Sequence, residues 1–364
     1  MKNDFCLPNA HYLLNHSVGR PLKTSAAHLQ QHFLAPWQDA AKEPWQDWLS
    51  GVNDFCNALA KLFDSKSELF CPQVNLSSAL TKLLMSIPKL QRKATILLSE
   101  QDFPSMGFVL QKALGDQVKL KFIPIGYDVG VIDTWTNFIT KDVDLVFISH
   151  VYSNTGQKAP IADIIRCARE QNALSVIDVA QSAGIVELSL NQLQPDFMIG
   201  SSVKWLCGGP GAAYLWINPI HLAQLMPKDV GWFSHQNPFE FDIHHFRYHD
   251  SALKFWGGTP SVAPYILAAH SIDYFSEHGS AAREKNRQLV ELLWQQIGEQ
   301  IVSPESPEKR SGTVIIKPHI GVEKALQQAS LQGVSIDARA MGLRVSPHIY
   351  NDDDDIAALL SVLR

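Results

Sequence analysis

LSVIDVAQSAGIVELSLNQLQPDFMIGSSVKWLCGGPG, residues 174–211, holds two short apolar runs, Leu174 to Ile177 and Phe197 to Ile199. Both read as buried strands, and each is followed closely by a residue that can do chemistry: Asp178 after the first, Lys204 just past the second. In open α/β sheets ligands gather at the carboxyl ends of the strands, so an acid and an amine at neighbouring strand ends can hold one flat molecule between them. Taken alone, Asp178 reads equally well as the cap of a following helix, and Lys204 alone as a solvated surface lysine. Their occurrence together, with Val203 and Trp205 bracketing the lysine, favours a sheltered amine whose pKa is lowered enough for it to act as a nucleophile.

The surrounding chain has 364 residues, 46% of them apolar, with a net charge of -5. That is enough for one large domain and a smaller one with a sizeable core. Lys and Arg are scattered rather than striped, which argues against a nucleic-acid partner and leaves a small molecule as the expected one. No run approaches the ~18 uninterrupted apolar residues of a membrane helix, and the N-terminus lacks a basic segment followed by a long apolar one, so no membrane association and a cytoplasmic location are expected. The five cysteines are odd in number and widely spaced, without a C-x-x-C pair, against a disulfide framework and against structural zinc. His235, His244, His245 and His249 match no metal-ligand spacing and read as loop and surface residues, so no metal is expected.

In chain order, Tyr12 to Pro21 is an apolar run ending in a turn. Residues 36–66 carry Trp37, Trp45 and Trp48 as packing groups and an amphipathic helix over Leu49 to Phe63. Asn75, Ser77 and Ser78 precede a helix over Ala79 to Ile87; small hydroxyl residues at a helix start suit both ordinary capping and a phosphate group. A strand over Ala94 to Ser99 leads to Phe103-Pro104, a strand over Asp144 to Ser149 to a loop and a helix over Ile161 to Gln171. This strand–loop–helix rhythm is that of a mainly parallel sheet. Two helices, Ala263 to Glu277 and Ala281 to Ile297, then open a smaller unit. The acidic run Asp352 to Asp355 suits a helix N-terminus, where negative charge meets the positive end of the dipole.

D-x-A-Q-S-x-G at Asp178 to Gly184 and S-x-x-K-W-L-x-G-G-P-G at Ser201 to Gly211 resemble the class V aminotransferase branch of the pyridoxal-phosphate (PLP) enzymes, and within it kynureninase. The resemblance implies fold type I: an α/β large domain over residues 21–262, its mainly parallel sheet sandwiched by helices, and a smaller α+β domain from residues 1–20 and 263–364. It further implies that Lys204 forms a Schiff base with PLP, that Asp178 protonates the pyridine nitrogen, and that Phe103, within a run similar to E-x-x-F-P-S-D, stacks on the ring, although a buried core Phe is the alternative. Ser77, Ser78 and Ser201 are then placed at the cofactor and its phosphate, Asn154 at the ring face, and Gln181 at the ring hydroxyl. Trp232, in GWFSH, corresponds to a phosphate-holding tryptophan of kynureninases. Thr259, in GGTP, corresponds to the class V threonine that reaches the neighbouring subunit's phosphate, which implies a homodimer with sites at the interface. Asn15 and Ser17 would face the substrate. Arg344, in R-x-S-x-x-x-Y-N, would bind its carboxylate with two parallel hydrogen bonds.

Some family positions differ. Met106 stands where kynureninase has aspartate, and Val203 where it has tyrosine and desulfurases have histidine; no cysteine follows Cys207, against desulfurase chemistry. Transamination of an α-amino acid, which needs the cofactor and one lysine, ranks narrowly ahead of kynureninase-like side-chain cleavage. A non-catalytic PLP-fold sensor or partner subunit is the alternative from another class. A nucleotide-binding dehydrogenase is set aside, because Gly208, Gly209 and Gly211 lack the strand–turn–helix setting of G-x-G-x-x-G.

Overall fold

The computed structural model describes residues 1–39 and 41–364. Its strands are β1 (His11–Tyr12), β2 (Phe70–Gln73), β3 (Ala94–Ser99), β4 (Val118–Ile123), β5 (Leu145–Ser149), β6 (Leu174–Asp178), β7 (Phe197–Ser201), β8 (Ala213–Ile217), β9 (Val314–Ile316), β10 (Val334–Ser335), β11 (Asp337–Arg339) and β12 (Gly342–Val345). Seven form one sheet in the order β2-β8-β7-β6-β5-β3-β4, in which β8 alone runs against its neighbours. Every residue of β5 is buried. A strand apolar on both faces needs cover on both sides, and parallel strands receive it from their crossover helices. The helix Ile161–Glu170 shows how: Ile161, Ile164, Ile165 and Ala168 fall on one buried stripe, which packs on β5 and β6. The result is an α/β fold with a mainly parallel sheet flanked by helices.

Apolar residues gather into two cores. The larger surrounds the seven-stranded sheet. The smaller joins Leu13, near the N-terminus, to Leu289, Leu293, Val314, Leu343 and Val362. Two minor sheets frame this second core: β1 pairs with β10 in parallel, and β11, β12 and β9 form an antiparallel three-stranded sheet. We propose that these two cores correspond to a large unit and a smaller one, the N-terminal strand being returned to the C-terminal region by its pairing with β10.

The two helices expected over Ala263 to Glu277 and Ala281 to Ile297 are one continuous helix, Ala263–Ile297. Its middle glycine, Gly279, is buried. A glycine inside a helix costs about 1 kcal/mol relative to alanine, too little to break it when both halves are packed. Here Tyr265, Ile272 and Phe275 enter the larger core while Leu289, Val290 and Leu293 enter the smaller. The helix after Asn75 also starts earlier than expected, at Leu76, because Asn75 Oδ1 accepts the Ser78 backbone N–H at 2.8 Å and so caps it. Ser77 and Ser78 therefore lie in its first turn. His235 departs from the expected surface setting: it is buried, its ring nitrogens 2.9 Å from the Asn237 carbonyl and 3.0 Å from that of His245. Asp352 and Asp355 form a reciprocal capping box at the last helix, Asp353–Val362.

Candidate active site

Strands β5, β6 and β7 are adjacent and parallel, so Ser149, Asp178 and Ser201 finish side by side at one edge of the sheet. Phe103 follows β3 at the same edge, and Lys204 lies three residues beyond β7. Together with Ser77, Ser105, Met106, Ser153, Gln181 and Val203, these residues line a cavity of about 170 Å³. Among the described residues that line it, Asp178 and Lys204 are the ones that carry charge.

Asp178 is fixed by its own turn: the Ala180 backbone N–H donates to Asp178 Oδ1 at 2.8 Å. Burial raises its pKa, against that hydrogen bond and the charge of Lys204. Burial also lowers the Lys204 amine to about 8; Asp178 pulls it upward, and Arg344 and Arg339 push it further down. Lys204 Nζ stands 5.9 Å from the centre of the Phe103 ring, which is 39% exposed and presents a face to the cavity mouth rather than filling the core. A neutral amine is the form that attacks a carbonyl, so uptake of PLP by the apo-protein is expected to accelerate as pH rises, with a midpoint near 8 rather than near the ordinary lysine value. Stopped-flow absorbance over pH 6–10 measures this; a rate still climbing steeply at pH 10 would contradict it.

The lysine loop is held from behind by the N-terminal segment. The Gly19 backbone N–H donates to the Val203 carbonyl at 2.8 Å. A Cβ on Gly19 would stand 2.1 Å from the Lys204 carbonyl oxygen and 2.5 Å from Cys207 Sγ. Only glycine permits this approach. Gly19→Ala is expected to lower stability by about 1–3 kcal/mol, as inserting atoms into packed structure does, and thermal unfolding measures it; an unchanged midpoint would show that the loops are not in contact. Asn15 is fully buried in the same segment, with Oδ1 accepting from the Tyr350 hydroxyl, whereas Ser17 is exposed.

Opposite Lys204 lies the hairpin β11–β12, where Arg344 faces Asp337. Arg344, 4% exposed, donates from Nε to Asp337 Oδ1 at 2.8 Å and from Nη2 to Oδ2. His16 Nε2 lies 3.0 Å from the same Oδ1. Burial works against ionisation of Asp337, but these two partners hold its carboxyl well below the usual range. The backbone of His16 reaches the other way, its carbonyl accepting from Gln181 Nε2 at 3.2 Å. Asn154 Oδ1 lies 3.3 Å from Arg339 Nη1, at the rim.

Trp232 and Thr259 are brought to each other rather than to the cavity. Trp232 Nε1 donates to Thr259 Oγ1 at 3.2 Å, and Gly231 packs so tightly on Gly257 and Gly258 that a Cβ there would lie 2.6 Å from their backbones. Trp45 packs edge-on against Trp232, the sequence's packing tryptophan meeting one of its candidate ligand residues. Ser149, Ser153, Asp337, Arg339 and His16 join the neighbourhood without having been singled out in the sequence. The Asp-x-Arg alternation at 337–339, five residues before Arg344, was the available signal, but it acquires meaning only once the hairpin register is known.

The residues present fit PLP. Gln181 Oε1, three residues beyond Asp178, is buried with no hydrogen-bond partner among the described residues, and so offers an unused polar atom beside the acid, the amine and the flat ring of Phe103. Among the described residues, no cluster of three or more His, Cys, Asp or Glu side chains is placed to hold a metal ion. No described helix is long and apolar enough to cross a membrane.

The sequence model of the family described as Aminotransferase class-V matches residues 74–359. Among curated proteins, the chain is 28% identical over 329 residues to kynureninase of Deinococcus radiodurans, covering 85% of this chain and 78% of that one. It is 26% identical over 382 residues to isopenicillin N epimerase of Streptomyces clavuligerus, covering 96% and 93%. Among solved structures, cysteine desulfurase from Thermococcus onnurineus superposes with a TM-score of 0.86 at 19% identity, covering 97% and 94%. The cystine C-S lyase C-DES, solved in one structure as a mutant with glycine covalently linked to its PLP cofactor, superposes with a TM-score of 0.88 at 19% identity, covering 98% and 97%. These likenesses, with a match that runs through both strand-end residues and on past Arg344, establish the fold and the lineage: the chain belongs to the class V aminotransferase family of PLP-dependent enzymes.

Proposed function

We propose that the protein binds PLP at Lys204 and moves the α-proton of an amino-acid substrate, with transamination as the outcome. The observation that carries this reading is the cavity's charge inventory: one buried acid and one buried amine of lowered pKa, at neighbouring strand ends, facing one exposed aromatic ring. Bound PLP would supply an electron sink for the substrate's α-carbon. Asp178 would hold the ring nitrogen in its protonated form, Gln181 would offer a hydrogen bond to the ring hydroxyl, and Phe103 would supply a flat face for the ring. Ser77, Ser78 and Ser201 offer donors to the phosphate, with the first turn of the helix Leu76–Ser86 adding its dipole. Lys204 Nζ, its pKa brought to about 8 by burial, would be the group that takes and returns the substrate's α-proton. The substrate carboxylate is drawn to the two-arginine face of β11–β12, with Asn15 closing that side.

Side-chain cleavage is the second reading, favoured by the kynureninase relatives. It would need a further proton donor, and Val203 beside the lysine offers none. Desulfurase chemistry lacks its nucleophile: Cys207 is the last cysteine, and burial raises its thiol far above the ordinary range.

A homodimer completes this reading. Trp232 and Thr259 lie outside the chain's own cavity, on a surface where Phe239, Phe241, Ile243 and Phe246 are exposed together. A second copy covering that surface would bury it and bring Thr259 toward the partner's phosphate site. All five cysteines are unpaired, in keeping with a reducing, cytoplasmic setting.

The test is product analysis of the PLP-loaded enzyme with each of the twenty amino acids and a keto-acid acceptor. Release of the matching keto acid supports transamination. Side-chain release without keto-acid formation would replace it with the cleavage reading, and no turnover with any amino acid would return the chain to a sensor or partner role.

A further inference from the structure

The backbone carbonyls of the lysine loop, residues 203–206, all have partners. The Gly19 N–H donates to Val203 at 2.8 Å and the Cys207 N–H to Lys204 at 3.1 Å. The Ser271 hydroxyl, on the long helix Ala263–Ile297, donates to Leu206 at 2.7 Å. The Trp205 carbonyl faces His348, whose Nε2 lies 2.9 Å away; the other donor near it among the described residues is the Cys207 thiol at 3.9 Å. A carbonyl oxygen only accepts, so the His348 ring carries its proton on Nε2. His348 is fully buried, its ring stacked on Phe275 at 5.1 Å and 7° and set edge-on to Trp205 at 5.5 Å and 90°. Its backbone is fixed as well: the N–H donates to Asn351 Oδ1 at 2.8 Å, and the carbonyl accepts the Asn351 N–H at 2.9 Å. Burial lowers the ring's pKa to about 3, against the pull of the Trp205 carbonyl, so the imidazole stays neutral near pH 7.

Packing alone does not call for a histidine at this position. His348 Nδ1 is buried with no hydrogen-bond partner among the described residues, whereas a phenyl ring would stack on Phe275 without desolvating any nitrogen. What the imidazole adds is one N–H directed at the residue after Lys204. We propose that His348 is a positioning residue for Lys204: its Nε2–H and the Gly19 N–H grip the carbonyls on either side of the lysine and so fix where the amine stands against the cofactor. The assignment rests on the reading of Lys204 as the cofactor's amine. One grip comes from the N-terminal segment and the other from the segment after β12, so the two ends of the chain, rather than the seven-stranded sheet, set the lysine's direction. Without the His348 donor the buried Trp205 carbonyl keeps only a weak thiol contact. The loop then turns to find a better donor and carries Lys204 with it.

The experiment compares PLP-loaded wild type with His348→Phe, which keeps the stack and loses the donor, and His348→Gln, which can still donate to a carbonyl. The visible absorbance of the bound cofactor is followed against pH, and the Kd for PLP and the thermal midpoint are measured alongside. In His348→Phe the absorbance midpoint is expected to move by about one pH unit and the Kd to rise about 10-fold. His348→Gln is expected to restore most of both while melting no higher than His348→Phe, whose packing is better. Wild-type absorbance and Kd in a folded His348→Phe overturn the assignment and leave Lys204 as the cofactor's amine; equal displacement in both variants, the mark of a packing effect, overturns it too. Should His348→Phe fail to fold, nitrogen NMR of histidine-labelled wild type decides. A neutral His348 ring protonated at Nε2 between about pH 8 and pH 5 supports the assignment, and a ring protonated at Nδ1, or one that titrates in that range, overturns it. A wild type that takes up no PLP removes the reading of Lys204, and this assignment with it.

Discussion

Turnover of the amino-acid substrate is expected to fall by at least about 10²–10⁴-fold in Lys204→Ala, the range that a positioned general base contributes. The size of the effect follows from what surrounds the lysine. Among the described residues the cavity's other charged side chain is Asp178, at the end of β6 with its Oδ1 already accepting from Ala180, and its proposed partner is the ring nitrogen. The serines that line the cavity are hydroxyls of ordinary basicity, and Val203 has no proton to give. No neighbour can replace an amine whose pKa burial has brought to about 8, close to the pH at which it must accept and release a proton. Single-turnover kinetics with added methylamine separate the two losses: a small free amine restores part of the proton transfer but not the attachment of the cofactor. Activity within tenfold of wild type would show that the base lies elsewhere.

Asp178→Asn should cost about 10²–10³-fold in turnover with little loss of stability. Asparagine keeps an Oδ1 that can accept the Ala180 N–H, so the turn after β6 is preserved. What disappears is a buried negative charge, and with it the force that keeps a pyridine nitrogen protonated. Because burial already raises the Asp178 pKa, ionised Asp178 is a cost to the folded apo-protein, and the amide relieves it. Activity and thermal midpoint should therefore part company. A midpoint that falls in step with activity would mean that Asp178 is a structural cap and not a partner of the ring.

The parts of this site legible in the sequence are those set by short-range pattern. A strand announces itself by four or five apolar residues, and the residue after it stands at the sheet edge by geometry alone; Asp178, Lys204 and Phe103 were found that way and by the motifs around them. The partners of Arg344 were not. Whether its fork is open depends on which residue opposes it across β11–β12, and register is a property of the folded hairpin. The same holds for Trp232 and Thr259, 27 residues apart and joined through a glycine-on-glycine approach that no local pattern encodes. The helix Ala263–Ile297 reads in the sequence as two; the two cores that it bridges, which hold it continuous across Gly279, are assembled from residues as distant as Leu13 and Val362.

Everything proposed for the site depends on Lys204 being the amine that holds the cofactor. Reducing the PLP-loaded protein with borohydride, digesting it and weighing the peptides tests it most directly. The peptide containing Lys204 is expected to gain one phosphopyridoxyl group in stoichiometric yield, and Lys204→Ala to show no such adduct at any lysine. An unmodified Lys204 peptide, with the label on another lysine or on none, would contradict it.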